Sequence, residues 1–118
     1  MSPSQHGLSK RWRYQVTATL RDQDAVGLYL NWLFGGHVEA VCKWAERAEV
    51  IHLEEPPFSQ RTNQVISVYW FKSREDFERY ESHGAPALRS EGIELAQKLG
   101  GINFERSYGW SWAVGGKT

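Results

Sequence analysis

The chain has 118 residues, 14 Lys plus Arg against 14 Asp plus Glu, and a formal net charge of +0. That length suits one domain, and the balanced charge argues against a nucleic-acid surface, which carries a basic excess. No run of about 18 apolar residues could cross a membrane as a helix. Cys42 is the single cysteine, so no internal disulfide is possible, and the four histidines show no metal-ligand spacing. No cofactor or metal is therefore expected. The opening residues lack the apolar core of a signal peptide, and a reducing, cytoplasmic setting is the expectation.

Residues 1–10 are polar and without period, and 114–118 read the same way, so both are expected as flexible tails around a single domain at 11–113. The only local basic stretch, "KRWR" at 10–13, reads as solvated flank. "WRYQVTATL" at 12–20 alternates strictly: Trp12, Tyr14, Val16, Ala18 and Leu20 share one face, and Arg13, Gln15, Thr17 and Thr19 the other. Period-two alternation predicts a strand with one apolar face. Asp22 or Asp24 can then cap a helix, along which Val26, Tyr29, Leu30, Leu33 and Phe34 form one stripe. Gly35-Gly36 is expected to stop that helix. "HVEAVCKWA" gives a further helical turn that leads into a second strand ending near Glu55.

"PPFSQRTNQ" reads as turn and loop, and "VISVYWF" at 65–71 as a third, central strand, because it is apolar to both sides. "SRED" at 73–76 has capping-box spacing with Asp76 in place of the usual Glu. The helix it opens buries Phe77 and Tyr80, pairs Glu75 with Arg79, breaks at "HGAP" and resumes as far as Leu99. At the break, Gly84 is expected as a left-handed cap and Pro86 at the first position of the new segment. "INFERSYGWSW" at 102–112 is a fourth strand, with Ile102, Phe104, Arg106, Tyr108, Trp110 and Trp112 on one face.

The order βαββαβ predicts an α+β ferredoxin-like sandwich, with a four-stranded antiparallel sheet in the order 4-1-3-2 and both helices on one face. Strand three offers Val68 and Trp70 to one side and Tyr69 and Phe71 to the other. A bare aromatic row is expected on the uncovered face, and it is best hidden by a second copy. The expected assembly is thus a homodimer through the sheet face, a dimeric α/β barrel.

"YQVTATL", "LNWLFGGHVEAV" and "YWFKSREDFERYESHGAPALRSEG" resemble a bacterial family of domains of unknown function. His37 matches its first motif. Ser73, Glu75, Asp76, Glu78, Arg79, Tyr80, His83, Ala85, Pro86, Leu88, Arg89, Glu91 and Gly92 match its second, which this chain interrupts with Gly84. The resemblance implies the same ferredoxin-like, dimeric α/β-barrel fold and no particular reaction.

Each half of the fold places a histidine at a helix break, "GGH" at 35–37 and "HG" at 83–84. His37 or His83 is thus the candidate general base, since imidazole exchanges protons near neutral pH. Trp32, Trp44 and Tyr80 are the candidate ligand-binding aromatics beside them. Three readings stay open at this stage: a protein binding a small apolar or aromatic metabolite, a cofactor-independent oxygenase- or isomerase-like enzyme, and an interaction module with no ligand.

Overall fold

In the computed structural model, residues 9–58 and 60–115 are described. The expected tails fall mostly outside that range, although Ser9 and Lys10 already pair in the first strand. The elements are β1 (Ser9–Leu20), α1 (Gln23–Trp32), α2 (Val38–Val41), β2 (Arg47–Glu55), β3 (Gln60–Phe71), α3 (Arg74–Arg79), α4 (Ala85–Lys98) and β4 (Ile102–Ala113). The sheet order is β2-β3-β1-β4, every neighbour antiparallel, which is the expected ferredoxin-like topology. β3 starts at Gln60, five residues before the expected 65. The polar stretch read as loop is held in the ladder by side chains: the Thr62 hydroxyl donates to the Leu53 carbonyl at 3.1 Å, and the Thr62 carbonyl meets His52 Nε2 at 2.7 Å.

The helix starts follow from local chemistry. The Asp22 carboxylate accepts from the Ala25 N–H at 2.8 Å, and the Ser73 hydroxyl accepts from the Asp76 N–H at 3.1 Å. Each cap satisfies one backbone donor that a helix N-terminus leaves orphaned. On the solvent side of α3 the ion pairs are Arg74–Glu78 at 3.2 Å and Asp76–Arg79, not the expected Glu75–Arg79.

Neither helix stops where its glycine suggested. Both pass through a single π turn and continue. Leu33–His37 closes with the Val38 N–H donating to the Leu33 carbonyl, and Tyr80–Gly84 with the Ala85 N–H donating to the Tyr80 carbonyl. At φ 139°, Gly36 supplies a conformation that side chains resist. Gly84 is not a left-handed cap: its φ is −103°. Its lack of a side chain serves a close approach, since a Cβ there would lie 2.6 Å from Trp44 Nε1. Pro86 sits in the first turn of α4, as expected. Each inserted residue swings the following side chains by about 100°. Phe34, at the edge of the stripe, is 67% exposed, whereas Val26, Tyr29 and Leu33 are buried.

The strand registers decide the two faces of the sheet. Trp12, Tyr14, Val16 and Ala18 stand opposite Phe71, Tyr69, Ser67 and Val65 on β3, and opposite Trp110, Tyr108, Arg106 and Phe104 on β4. Tyr69 and Phe71 are buried under the helices. The expected bare aromatic row is therefore absent among the described residues of β3. Its open face carries Gln64, Ile66, Val68 and Trp70, and the Trp70 ring is covered by the Arg47 guanidinium at 4.3 Å. No helix of the described residues is long and apolar enough to cross a membrane.

Candidate functional site: a cavity between sheet and helices

The helix-covered core is in two parts. One gathers Tyr14, Val41, Tyr69, Phe71, Phe77 and Tyr80. The other gathers Ala18, Leu20, Val26, Tyr29, Leu33 and Val65. Between them runs one cross-strand row, Ser67–Val16–Arg106, spanning β3, β1 and β4. Its neighbour on one side is the row Tyr69–Tyr14–Tyr108, with Tyr14 stacked on Tyr108 at 5.4 Å between centroids. On the other side lies Val65–Ala18–Phe104. Val16 and Ser67 are too short to reach the helices as the tyrosines do, and a cavity of about 220 Å³ remains above them. Adjacent strands are about 4.8 Å apart, so this floor is roughly 10 Å wide from Ser67 to Arg106.

The roof comes from both broken helices. Tyr29, Trp32, Leu33 and His37 descend from α1 and the first π turn; Tyr80 descends from the second, and Leu88, Arg89, Gly92 and Ile93 from α4. Three of the five candidates read from sequence thus meet here: His37, Trp32 and Tyr80. The other two do not. His83 is exposed, and Trp44 lies beside it at 6.3 Å between ring centroids, away from the cavity.

The polar chemistry of the cavity is unusual for a helix–sheet interior. His37 lies parallel to Trp32, and its Nδ1 is buried with no hydrogen-bond partner. Burial lowers its pKa to about 4, so the imidazole is neutral at pH 7. Ser67 is 2% exposed. The phenols of Tyr29 and Tyr69 lie near its hydroxyl, yet that hydroxyl makes no hydrogen bond. Arg89 donates from Nη2 to Glu81 at 2.6 Å, while its buried Nε has no partner. Arg106 donates from Nε to the Tyr14 hydroxyl at 3.1 Å. Burial pushes the Tyr29 phenol up to about 12 and those of Tyr69 and Tyr80 higher still, so these three are neutral hydroxyls. No cluster of three metal-ligating side chains occurs among the described residues.

Sequence reading did not single out Ser67, Arg89, Arg106, Tyr14 or Tyr29 for the site. The signal for two of them is visible afterwards. Ser67 interrupts the apolar run of β3, and Arg106 is the one charge on the apolar face of β4.

No family model and no curated protein matches the chain. Its fold is shared with two dimeric ferredoxin-like proteins from uncultured marine organisms. The first is 12% identical with a TM-score of 0.67, covering 92% of this chain and 99% of its own. The second is also 12% identical with a TM-score of 0.63, covering 92% and 94%. A monooxygenase of Streptomyces coelicolor, solved in complex with nanaomycin D, is 13% identical with a TM-score of 0.58, covering 92% and 91%. At such identities the likeness is one of fold.

Proposed function

We propose that this chain binds a small aromatic metabolite in the cavity between its helices and sheet, as a homodimer paired through the open sheet face. One observation carries the reading. Among the described residues, four buried side-chain polar atoms lack a partner, and three of them, His37 Nδ1, Ser67 Oγ and Arg89 Nε, belong to residues lining this cavity. An unsatisfied buried polar group costs roughly 1–3 kcal/mol. Three at one place describe a site awaiting a partner more economically than three separate packing faults. Aromatic walls with a few convergent polar groups are the usual form of a small-molecule site. The monooxygenase solved with nanaomycin D lends support by analogy of fold. Pairing through the sheet is supported by the dimeric neighbours and by Ile66 and its cross-strand partner Ile51 on the open face.

A second reading, proton abstraction by His37, has one observation in its favour: a neutral imidazole with a free Nδ1 in the cavity. Magnitude decides against it. With a conjugate-acid pKa of about 4, taking a proton from an ordinary phenol of pKa about 10 is uphill by roughly a million-fold. Binding is the better-supported role, with His37 as a hydrogen-bond acceptor.

A thermal-shift screen of single-ring aromatic compounds tests the reading, because a ligand of the native state raises apparent stability. The expected result is a set of stabilising compounds whose effect disappears in Val16→Phe, which fills the cavity floor. Compounds that stabilise Val16→Phe as well as the parent would place binding elsewhere and overturn the proposal.

A further inference from the structure

Resting on that reading, we infer that the ligand is a single-ring aromatic carboxylate, its ring held between Trp32 and the strand floor and its anion received by Arg106 and Arg89.

The charge around the cavity leads there. Two guanidiniums line it, and only one is neutralised: Arg89 pairs with Glu81 at 2.6 Å. Arg106 has no carboxylate within 4 Å among the described residues; its partner is a phenol. The site thus carries one positive charge in excess, at its β4 rim, where Arg106 is exposed to solvent. Its free hydrogen-bonding capacity is also mostly of the donor kind. Arg89 Nε–H is buried and unused, Arg106 keeps its two Nη groups, and the tyrosines remain protonated donors. A donor-rich, positively charged cavity is complementary to an anion, and guanidinium matches carboxylate geometry in particular.

Size and shape narrow the class. An apolar cavity of about 150 Å³ holds benzene. At about 220 Å³ this one admits one ring with one or two small substituents. The ring has an aromatic partner in Trp32, a lining residue whose indole also stacks on His37, and Gly92 lies close to the edge of that indole: a Cβ there would be in ordinary van der Waals contact with it at 3.8 Å. Placement of Arg106 and Ser67 at opposite ends of one cross-strand row, roughly 10 Å apart, spans the length of a benzoate-type molecule. Its carboxylate would lie at the β4 end, and any ring hydroxyl would point to Ser67.

Benzoate and its neutral near-isostere benzamide make the test, each titrated into the labelled full chain and followed by amide chemical shifts into the millimolar range. The expected result is saturable shifts at cavity-lining residues with a Kd for benzoate at least tenfold below that for benzamide at low salt. Arg106→Gln should bring the two within about twofold, and Arg89→Lys should narrow the gap. Equal binding of the two probes to the parent chain would overturn the carboxylate inference and leave the cavity reading standing. A benzoate preference that survives both substitutions would overturn the assignment to these arginines. If neither probe moves the cavity residues, the inference falls together with the cavity reading.

Discussion

The imidazole of His37 and the indole of Trp32 are stacked, their centroids 4.0 Å apart and their planes 23° from parallel. Two forces act on a proton added to that imidazole. Stacking on an indole favours the cation by about 0.5–2 kcal/mol. Burial disfavours it, and lowers the pKa from 6.5 to about 4. That shift corresponds to roughly 3 kcal/mol, so burial wins. The folded pKa lies below the unfolded one, so the unfolded chain binds the extra proton first. The His37 contribution to stability is complete above about pH 6.5 and is lost as the pH falls toward 4. Denaturant melts at pH 7 and pH 4.5 should show a drop that is smaller by about 2–3 kcal/mol in His37→Gln. A proton titration of the His37 ring with a midpoint above 6.5 would show instead that the indole prevails.

Ser67 offers an opposite kind of prediction. Its hydroxyl is buried, unpartnered and set in the middle of the sheet. Removing such a group relieves its desolvation penalty, so Ser67→Ala should raise stability by about 1–2 kcal/mol while weakening whatever ligand the cavity holds. A stabilised variant with poorer binding is the mark of a residue retained for function rather than folding. Destabilisation by a similar amount would mean that the hydroxyl is bonded to the phenol of Tyr29 or Tyr69.

The backbone around the second π turn supplies a third. A Cβ on residue 84 would meet Trp44 Nε1 at 2.6 Å, and the indole is packed against the core and cannot withdraw freely. Gly84→Ala should therefore cost about 1–3 kcal/mol, the usual range for overpacking, although alanine is intrinsically the better helix former by about 1 kcal/mol. Trp44→Leu in the same chain should recover part of the loss, measured as a double-mutant cycle by chemical denaturation.

Much of the fold was legible because strands report themselves by alternation. The faces of β1 and β4 were read correctly to the residue, as were the Ser73 cap and the order of the sheet. The π turns were not legible, because a glycine that lets a helix bulge and one that ends it look alike in sequence. That ambiguity hid the true reason for Gly84. The cavity was half legible. Aromatics beside a helix break drew attention to Trp32, His37 and Tyr80, but equally to Trp44 and His83, which lie outside the cavity. The floor escaped notice because a cavity is made by what is missing: Val16 and Ser67 matter for being short in a row of tyrosines, and only the cross-strand register brings them together.

The open face of the sheet carries the last prediction. In the single chain it presents Ile66 between Thr17 and Ile51, with Val68 one pleat along. Val68 is 1% exposed and is covered by its own neighbours, whereas Ile51 is 38% exposed. The patch is mixed: Gln15, Thr17 and Thr19 border it on β1, and Arg47 lies over Trp70. An interface there would combine a small apolar centre with a polar, hydrogen-bonding rim, the common anatomy of protein contacts. A carboxylate at its centre would be desolvated without a partner, and doubly so across a two-fold axis, where each copy meets its own image. Ile66→Glu should therefore shift the sedimenting mass from twice 13.6 kDa to 13.6 kDa at micromolar concentration. The fold should survive, because Ile66 contributes to neither helix-side core cluster. The parent chain sedimenting at 13.6 kDa under the same conditions would remove the homodimer from the proposal. The cavity would be untouched by that result, since every residue lining it belongs to one chain.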